Sequence, residues 1–320
     1  MARRKPILNW LEYVRQHNQY DKKLQRYIRS EWGRTSDTRR IVQELKQGSA
    51  KSLFATNKEA RFAFLRWARR AFRKAELHPP AGFFMLTLSP RDFALPLSQA
   101  IQFDHEELKK WARSVLVGID YFGMVDVALY TNLAESIQSL EPTVSWHIHV
   151  IAWGRSKAVF QQIVDDINEH YDALVAGRTA AHLRVVKDML GRLCYVLKAP
   201  LSDYRVFPRK KEVMDPETGE LTRDPIQRKR PLRPGDALKV CNVLAGRKLP
   251  SLAFAGGRGI RLLQQTLSNA RLDLQERGQR RKRKLERAYY GAHGNLKSDK
   301  IATLQHPPRK ATNRKARLGR

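Results

Sequence analysis

The chain has 320 residues and carries 61 Lys+Arg against 31 Asp+Glu, a formal net charge of +30. That balance excludes the near-neutral surface of an ordinary metabolic enzyme and points to a polyanionic partner, nucleic acid before an acidic membrane. With 42% hydrophobic residues the chain can bury a core, its length allows one elaborated domain or two, and no apolar run reaches the roughly 20 residues that span a bilayer.

The opening Met1-Ala2-Arg3-Arg4-Lys5 leads into no apolar signal segment. Cys194 and Cys241 lie far apart without CxxC spacing, so neither a disulfide framework nor a thiolate zinc site is expected. The expectation is a soluble protein of a reducing, cytoplasmic compartment. The charge is uneven. Residues 1–80 hold 20 basic against 7 acidic side chains, residues 81–200 hold 11 against 13, and residues 201–320 hold 30 against 11. Two basic arms flank a near-neutral centre, which suits a site built from a cation and carboxylates.

In chain order, the first 80 residues read as amphipathic helices. Trp10, Tyr13 and Val14 recur at helical spacing, as do Phe62, Leu65, Ala68 and Phe72. Arg61, Arg66, Arg69, Arg70 and Arg73 fill the other face, either solvated or tracking DNA. Phe83 to Ser89 is an apolar strand closed by Pro90. Residues 104–117 form a helix capped by Asp104. Val125–Leu133 and Val144–Trp153 are two further strands. Ser156 caps a helix over 157–171, and another runs from about Ala180 to Lys198, stopping before Pro200. Residues 215–219 read as a hairpin tip, 236–244 as a short helix, and the Gly256-Gly257-Arg258-Gly259 cluster precedes a helix through about 276. The basic run from Arg277 onward reads as a solvated, disordered tail.

Three features carry chemistry. In Trp146-His147-Ile148-His149-Val150, residues two apart share a strand face, so His147 and His149 project together as half of a divalent-metal site. If the two strands form a hairpin centred near residue 141, Glu135 falls opposite His147 as an oxygen ligand, with Glu141 the competing carboxylate. Such a mixture keeps open positions for a substrate oxygen and water. Finally, Tyr195 and Lys198 are i and i+3 on a helix, hence neighbours on one face. A phenol is a poor nucleophile at its ordinary pKa of about 10, and an adjacent cation or metal is what makes its attack plausible.

In order, the Phe84-Met85-Leu86-Thr87-Leu88 strand, the His-Ile-His strand and the Tyr-x-x-Lys helix resemble the motifs of HUH-superfamily endonucleases. The closest resemblance is to the single-tyrosine rolling-circle replication initiators (Rep proteins), over roughly residues 80–200. Motif 1 departs from the family pattern at Ser89-Pro90, so Thr87 is assigned only a strand role. The resemblance implies that His147, His149 and Glu135 bind Mg²⁺ or Mn²⁺. It implies that Tyr195 attacks a phosphodiester of single-stranded or hairpin origin DNA, leaving a 5′-phosphotyrosine and a free 3′-OH, while Lys198 positions the phosphate. Host helicase and polymerase would be further partners, and no membrane is involved.

The order of motifs separates the chain from conjugative relaxases, where the tyrosine precedes the histidines. No second tyrosine follows Tyr195 until Tyr204, unlike the two-tyrosine initiators. The alternatives are an HUH transposase or mobilisation nickase, a non-catalytic basic nucleic-acid-binding protein, and a metal hydrolase of another fold that also uses His170 and His182.

The fold expected is α+β: an antiparallel sheet of about five strands with the metal on one face and the Tyr195 helix over it. Residues 1–80 would be a basic helical region, 81–275 the endonuclease domain with its elaboration, and 276–320 the tail.

Overall fold

The computed structural model describes residues 9–34, 37–133, 141–208, 213–214, 221–222 and 225–293. Two compact units divide the chain, residues 1–274 and 275–320. In chain order the elements are α1 (Trp10–Arg29), α2 (Glu31–Arg34), α3 (Arg39–Leu45), α4 (Lys58–Lys74), β1 (Phe83–Leu88), β2 (Ala94–Pro96), α5 (Leu97–Ala100), α6 (His105–Val115), β3 (Asp120–Thr131) and β4 (Thr143–Trp153). They continue as α7 (Lys157–His170), β5 (Ala181–Val186), α8 (Met189–Val196), β6 (Ser202–Pro208), β7 (Val213–Met214), β8 (Leu221–Thr222), β9 (Pro225–Pro231), α9 (Pro234–Leu244), α10 (Leu249–Leu252), β10 (Ala253–Gly256) and α11 (Gly259–His293).

The α+β class holds, with a larger and differently wired sheet than expected. Eight strands join, in the order β5-β1-β4-β3-β6-β9, with β10 pairing β3 and β2 pairing β4. The sheet is mixed, because β6 runs parallel to β3, through Leu129↔Asp203 and Tyr130↔Tyr204. At the centre β3 and β4 are buried on both faces, which explains their nearly unbroken apolar sequences. Close packing on β3 requires a glycine: a Cβ at Gly123 would stand 2.6 Å from the Phe254 ring of β10.

Helices cover both faces. On one, Phe72 of α4 meets Phe122 and Trp153 at ring-centroid distances of 5.5 and 5.7 Å. On the other, Phe160 of α7 lies 4.8 Å from Phe84, and Phe103 lies 5.4 Å from Trp146. Tyr13, Phe62, Leu65 and Phe72 belong to the same hydrophobic core as the strands, so helices α1 and α4 pack as part of this unit.

Two helix expectations change. The stretch expected to be one helix from Ala180 to Lys198 is an edge strand, β5, followed by the short helix α8. Val185 and Val186 favour the pleat, β5 pairs along the whole of β1, and Asp188 starts the helix by accepting from the Gly191 amide at 2.9 Å. Beyond 276, where the sequence reading ends the last helix, α11 continues to His293. Arg280 pairs with Glu276 and Lys282 with Glu286 at i,i+4, offsetting part of the like-charge repulsion along this strongly helix-prone stretch. The turn expected at 215–219 lies outside the described residues, and β7 and β8, which flank it, pair antiparallel.

The N-terminal helices have a specific task. Tyr13 donates its hydroxyl to the Leu197 carbonyl at 2.9 Å. Arg61, expected on a basic face either solvated or tracking DNA, is 5% exposed and donates to the carbonyls of Leu197 at 3.2 Å and Lys198 at 3.0 Å. The Ala199 amide donates to His17 Nε2 at 3.0 Å, which leaves Nδ1–H to donate to the Tyr13 carbonyl at 2.7 Å. These bonds satisfy the open carbonyls just past the C-terminus of α8 and place a cation where the helix dipole favours one.

His17 works only as neutral imidazole. Burial and the Arg61 charge push its pKa down to about 3, against about 6.5 in an unfolded chain. The folded pKa is depressed, so the unfolded chain binds the extra proton between those values. Stability is complete above pH 6.5 and falls as the pH drops toward 3, by about 1.4 kcal/mol per pH unit from this residue. Urea unfolding between pH 7.5 and 4.5 should show at least that slope, because the depressed His105, His147 and His149 add to it. His17→Gln should reduce it by the share of His17, about 1.4 kcal/mol per pH unit.

Candidate metal centre

The β3–β4 register places the site. Asp126 pairs with His147, and Met124 pairs with His149. Because facing residues share a face and alternate residues repeat it, Asp126, His147 and His149 project together. All are buried, at 4, 8 and 3% exposure. One ligand atom from each lies within 4.8 Å of the others, a cluster that could hold a metal ion.

The carboxylate across from His147 is therefore Asp126. Glu135, to which the sequence reading gives that position, lies outside the described residues. Glu141 is engaged elsewhere: its carboxylate accepts from the Ser98 amide at 2.6 Å and the Ser98 hydroxyl at 3.0 Å. His170 and His182 are turned to other partners, the Asp166 carbonyl and the Arg184 guanidinium. Asp126 has a sequence signal, a lone charge within Met124-Val125-Asp126-Val127-Ala128, an otherwise apolar strand. Thr87, read only as a strand residue, is the other addition. It faces His149 from β1, with Oγ1 3.1 Å from Nδ1.

Hydrogen bonding orients both imidazoles. His147 Nδ1 lies 3.2 Å from the Ser145 carbonyl, an acceptor, so Nδ1 carries the proton and Nε2 is bare. The Thr87 hydroxyl can donate to His149 Nδ1 or accept from it. When it donates, His149 Nε2 carries the proton and donates to His147 Nε2, and when it accepts, the second Nε2 is bare as well. The two Nε2 atoms lie only 3.2 Å apart. That separation fits an N–H···N hydrogen bond between the two rings, and in the tautomer with Thr87 accepting it fits two bare nitrogens that one cation would share. Outer partners on Nδ1 with Nε2 directed inward are the usual support of metal-ligating histidines.

The protonation states suit the same role. Burial pushes both imidazoles below their ordinary pKa, His149 furthest, and Lys198 adds to the effect. Burial alone would raise the pKa of Asp126, but the Lys198 charge and the two histidines outweigh it and hold the carboxyl far below its usual range. Lys198 Nζ lies 2.6 Å from Asp126 Oδ2, and this carboxylate keeps the ammonium charged despite burial. Two neutral imidazoles and an ionised carboxylate are the forms a divalent cation needs.

Tyr195 completes the arrangement from α8. Its ring centroid lies 5.1 Å from that of His149, 4.9 Å from Lys198 Nζ and 5.7 Å from the Arg192 guanidinium carbon. Lys198 follows the end of α8 rather than lying within it, and the Lys198 amide to Tyr195 carbonyl contact at 3.4 Å keeps the two neighbouring. Four sequence-identified side chains, His147, His149, Tyr195 and Lys198, thus converge with Asp126 and Thr87. Comparison of the chain with protein-family models, curated proteins and solved structures gives no match. Among the described residues, no helix is long and apolar enough to cross a membrane.

Calorimetric titration with Mn²⁺ tests the cluster. Asp126→Asn and His149→Ala should each weaken binding at least 100-fold, whereas Thr87→Ala, which removes only the partner of Nδ1, should weaken it about 10-fold. Unchanged affinity in either of the first two variants would exclude the site.

Proposed function

We propose that the protein is a metal-dependent HUH-type DNA endonuclease and strand transferase, a replication initiator that nicks single-stranded or extruded origin DNA for rolling-circle replication. The observation that carries this reading is the seat of Tyr195, packed against His149 beside the Asp126–His147–His149 cluster with Lys198 on its flank. A metal-binding cluster alone fits many hydrolases. A tyrosine and a lysine held against it fit a covalent phosphoryl transfer.

Asp126, His147 and His149 would hold Mg²⁺ or Mn²⁺. When bound, the ion would polarise a non-bridging phosphate oxygen and offset the charge that develops there. Tyr195 would form the new Oη–P bond as the bond from phosphorus to the 3′ oxygen breaks, its phenolic proton passing to water and the departing 3′ oxygen taking one up from water, leaving a 5′-phosphotyrosine and a 3′-OH. Lys198, held beside the Tyr195 ring, would offset the negative charge of the transferring phosphate. Its pairing with Asp126 keeps the ammonium in place inside the protein. The energy of the broken ester stays in the phosphotyrosine, so rejoining needs no nucleotide.

The test is formation of a covalent adduct with a single-stranded oligonucleotide carrying the element's own origin, in Mn²⁺, read on a denaturing gel. Tyr195→Phe should abolish the adduct, and Lys198→Met should slow its formation at least 100-fold. Adduct that persists in Tyr195→Phe would remove the tyrosine from the mechanism. His147→Ala should lose adduct at limiting metal and regain part of it at high Mn²⁺.

A further inference from the structure

We propose that Tyr130, Tyr204 and Lys229 form a landing platform for the single-stranded DNA segment next to the metal centre. The inference rests on the proposed nickase only for the identity of the strand; the platform itself is read from the sheet. In register, Tyr130 of β3 faces Tyr204 of β6, and Tyr204 faces Lys229 of β9. The three side chains therefore make one row across three strands.

Alternation along β3 puts Tyr130 on the same face as Asp126. Four residues of strand separate them, about 13 Å. The row thus flanks the metal centre on the face that carries it. The two tyrosine rings stack, with centroids 5.1 Å apart and planes 17° from parallel. Lys229 Nζ lies 5.6 Å from the Tyr204 centroid, and Gln227 donates to the Tyr130 hydroxyl at 3.4 Å. Tyr130 and Tyr204 are half-buried residues, and Lys229 is exposed beside Arg228 on an edge strand.

Aromatic rings interleaved with cations suit a single strand better than a duplex. A base can lie against a ring only when it is unstacked from its partner, while the cations follow the phosphates. A duplex would meet the cations alone. Within a basic chain this row stands out because its rings, its charge and its register with the cluster coincide.

The experiment measures binding, not cutting. A dye-labelled oligo(dT) is titrated with the full chain in the absence of metal, and anisotropy is read at several salt concentrations. Tyr204→Leu should weaken binding about 10-fold, and Lys229→Gln severalfold with a shallower salt dependence. Lys157→Gln, which removes a cation from α7 across the sheet, should have a smaller effect than Lys229→Gln. Circular dichroism melting establishes that each variant is folded, and Lys229→Gln carries the test if Tyr204→Leu is not.

Equal losses in Lys229→Gln and Lys157→Gln would overturn the platform. Duplex or oligo(U) binding as tight as oligo(dT) would overturn it too. Failure of the nickase reading is separate: it would appear as an absent Tyr195 adduct in a protein whose oligo(dT) affinity still depends on Tyr204 and Lys229.

Discussion

The turn at residues 197–199 is the constraint on which the site depends. Tyr13, His17 and Arg61 hold it by four hydrogen bonds from two N-terminal helices. The helix before it, α8, has only eight residues, too few to be stable alone. Tyr195 lies within that helix and Lys198 within that turn. Their positions relative to β4 are therefore fixed from outside, by helices that belong to the same core as the sheet. A region that composition marks as a basic arm is structurally a clamp.

A second constraint follows from burial. Asp126 and Lys198 form an ion pair at 2.6 Å with little solvent access. Removing two charges from water costs several kcal/mol each, and the mutual attraction returns that cost only with good geometry and further hydrogen bonds. The Val127 amide, donating to Asp126 Oδ1 at 2.9 Å, supplies one such bond. A pair of this kind adds little net stability. What it fixes is location: Lys198 cannot swing to solvent without stranding a buried carboxylate, so the charge beside Tyr195 is permanent.

How much of this was legible differed by sequence range. His147 and His149 could be read because a period of two is local, and Tyr195 with Lys198 because helical spacing is local. The helices at 105–115 and 157–170 were legible from their caps, Asp104 and Ser156. The carboxylate that the strand pairing sets opposite His147, Asp126, was not, because register is set by which side chains the two faces bury. β5 was missed because an edge strand followed closely by a short helix mimics one longer helix. The β3–β6 pairing joins residues more than 70 apart in the chain and leaves no local trace. Arg61 shows the limit of charge patterning: among five arginines on one helix, only the fold decides which is buried.

The parallel pairing of β6 with β3 has a consequence for how the molecule assembles. A parallel partner cannot be reached by a tight hairpin, so the chain leaves β4, passes through α7, β5 and α8, and returns on the far side of β3. The cluster side chains at 126, 147 and 149 are set by one hairpin of short sequence separation. Tyr195 and Lys198 ride on the long crossover. Loop-closure entropy makes such crossovers late and slow relative to hairpins. The site thus joins two halves of different contact order, the Asp126–His147–His149 cluster on a local strand pair and Tyr195 with Lys198 on a long crossover.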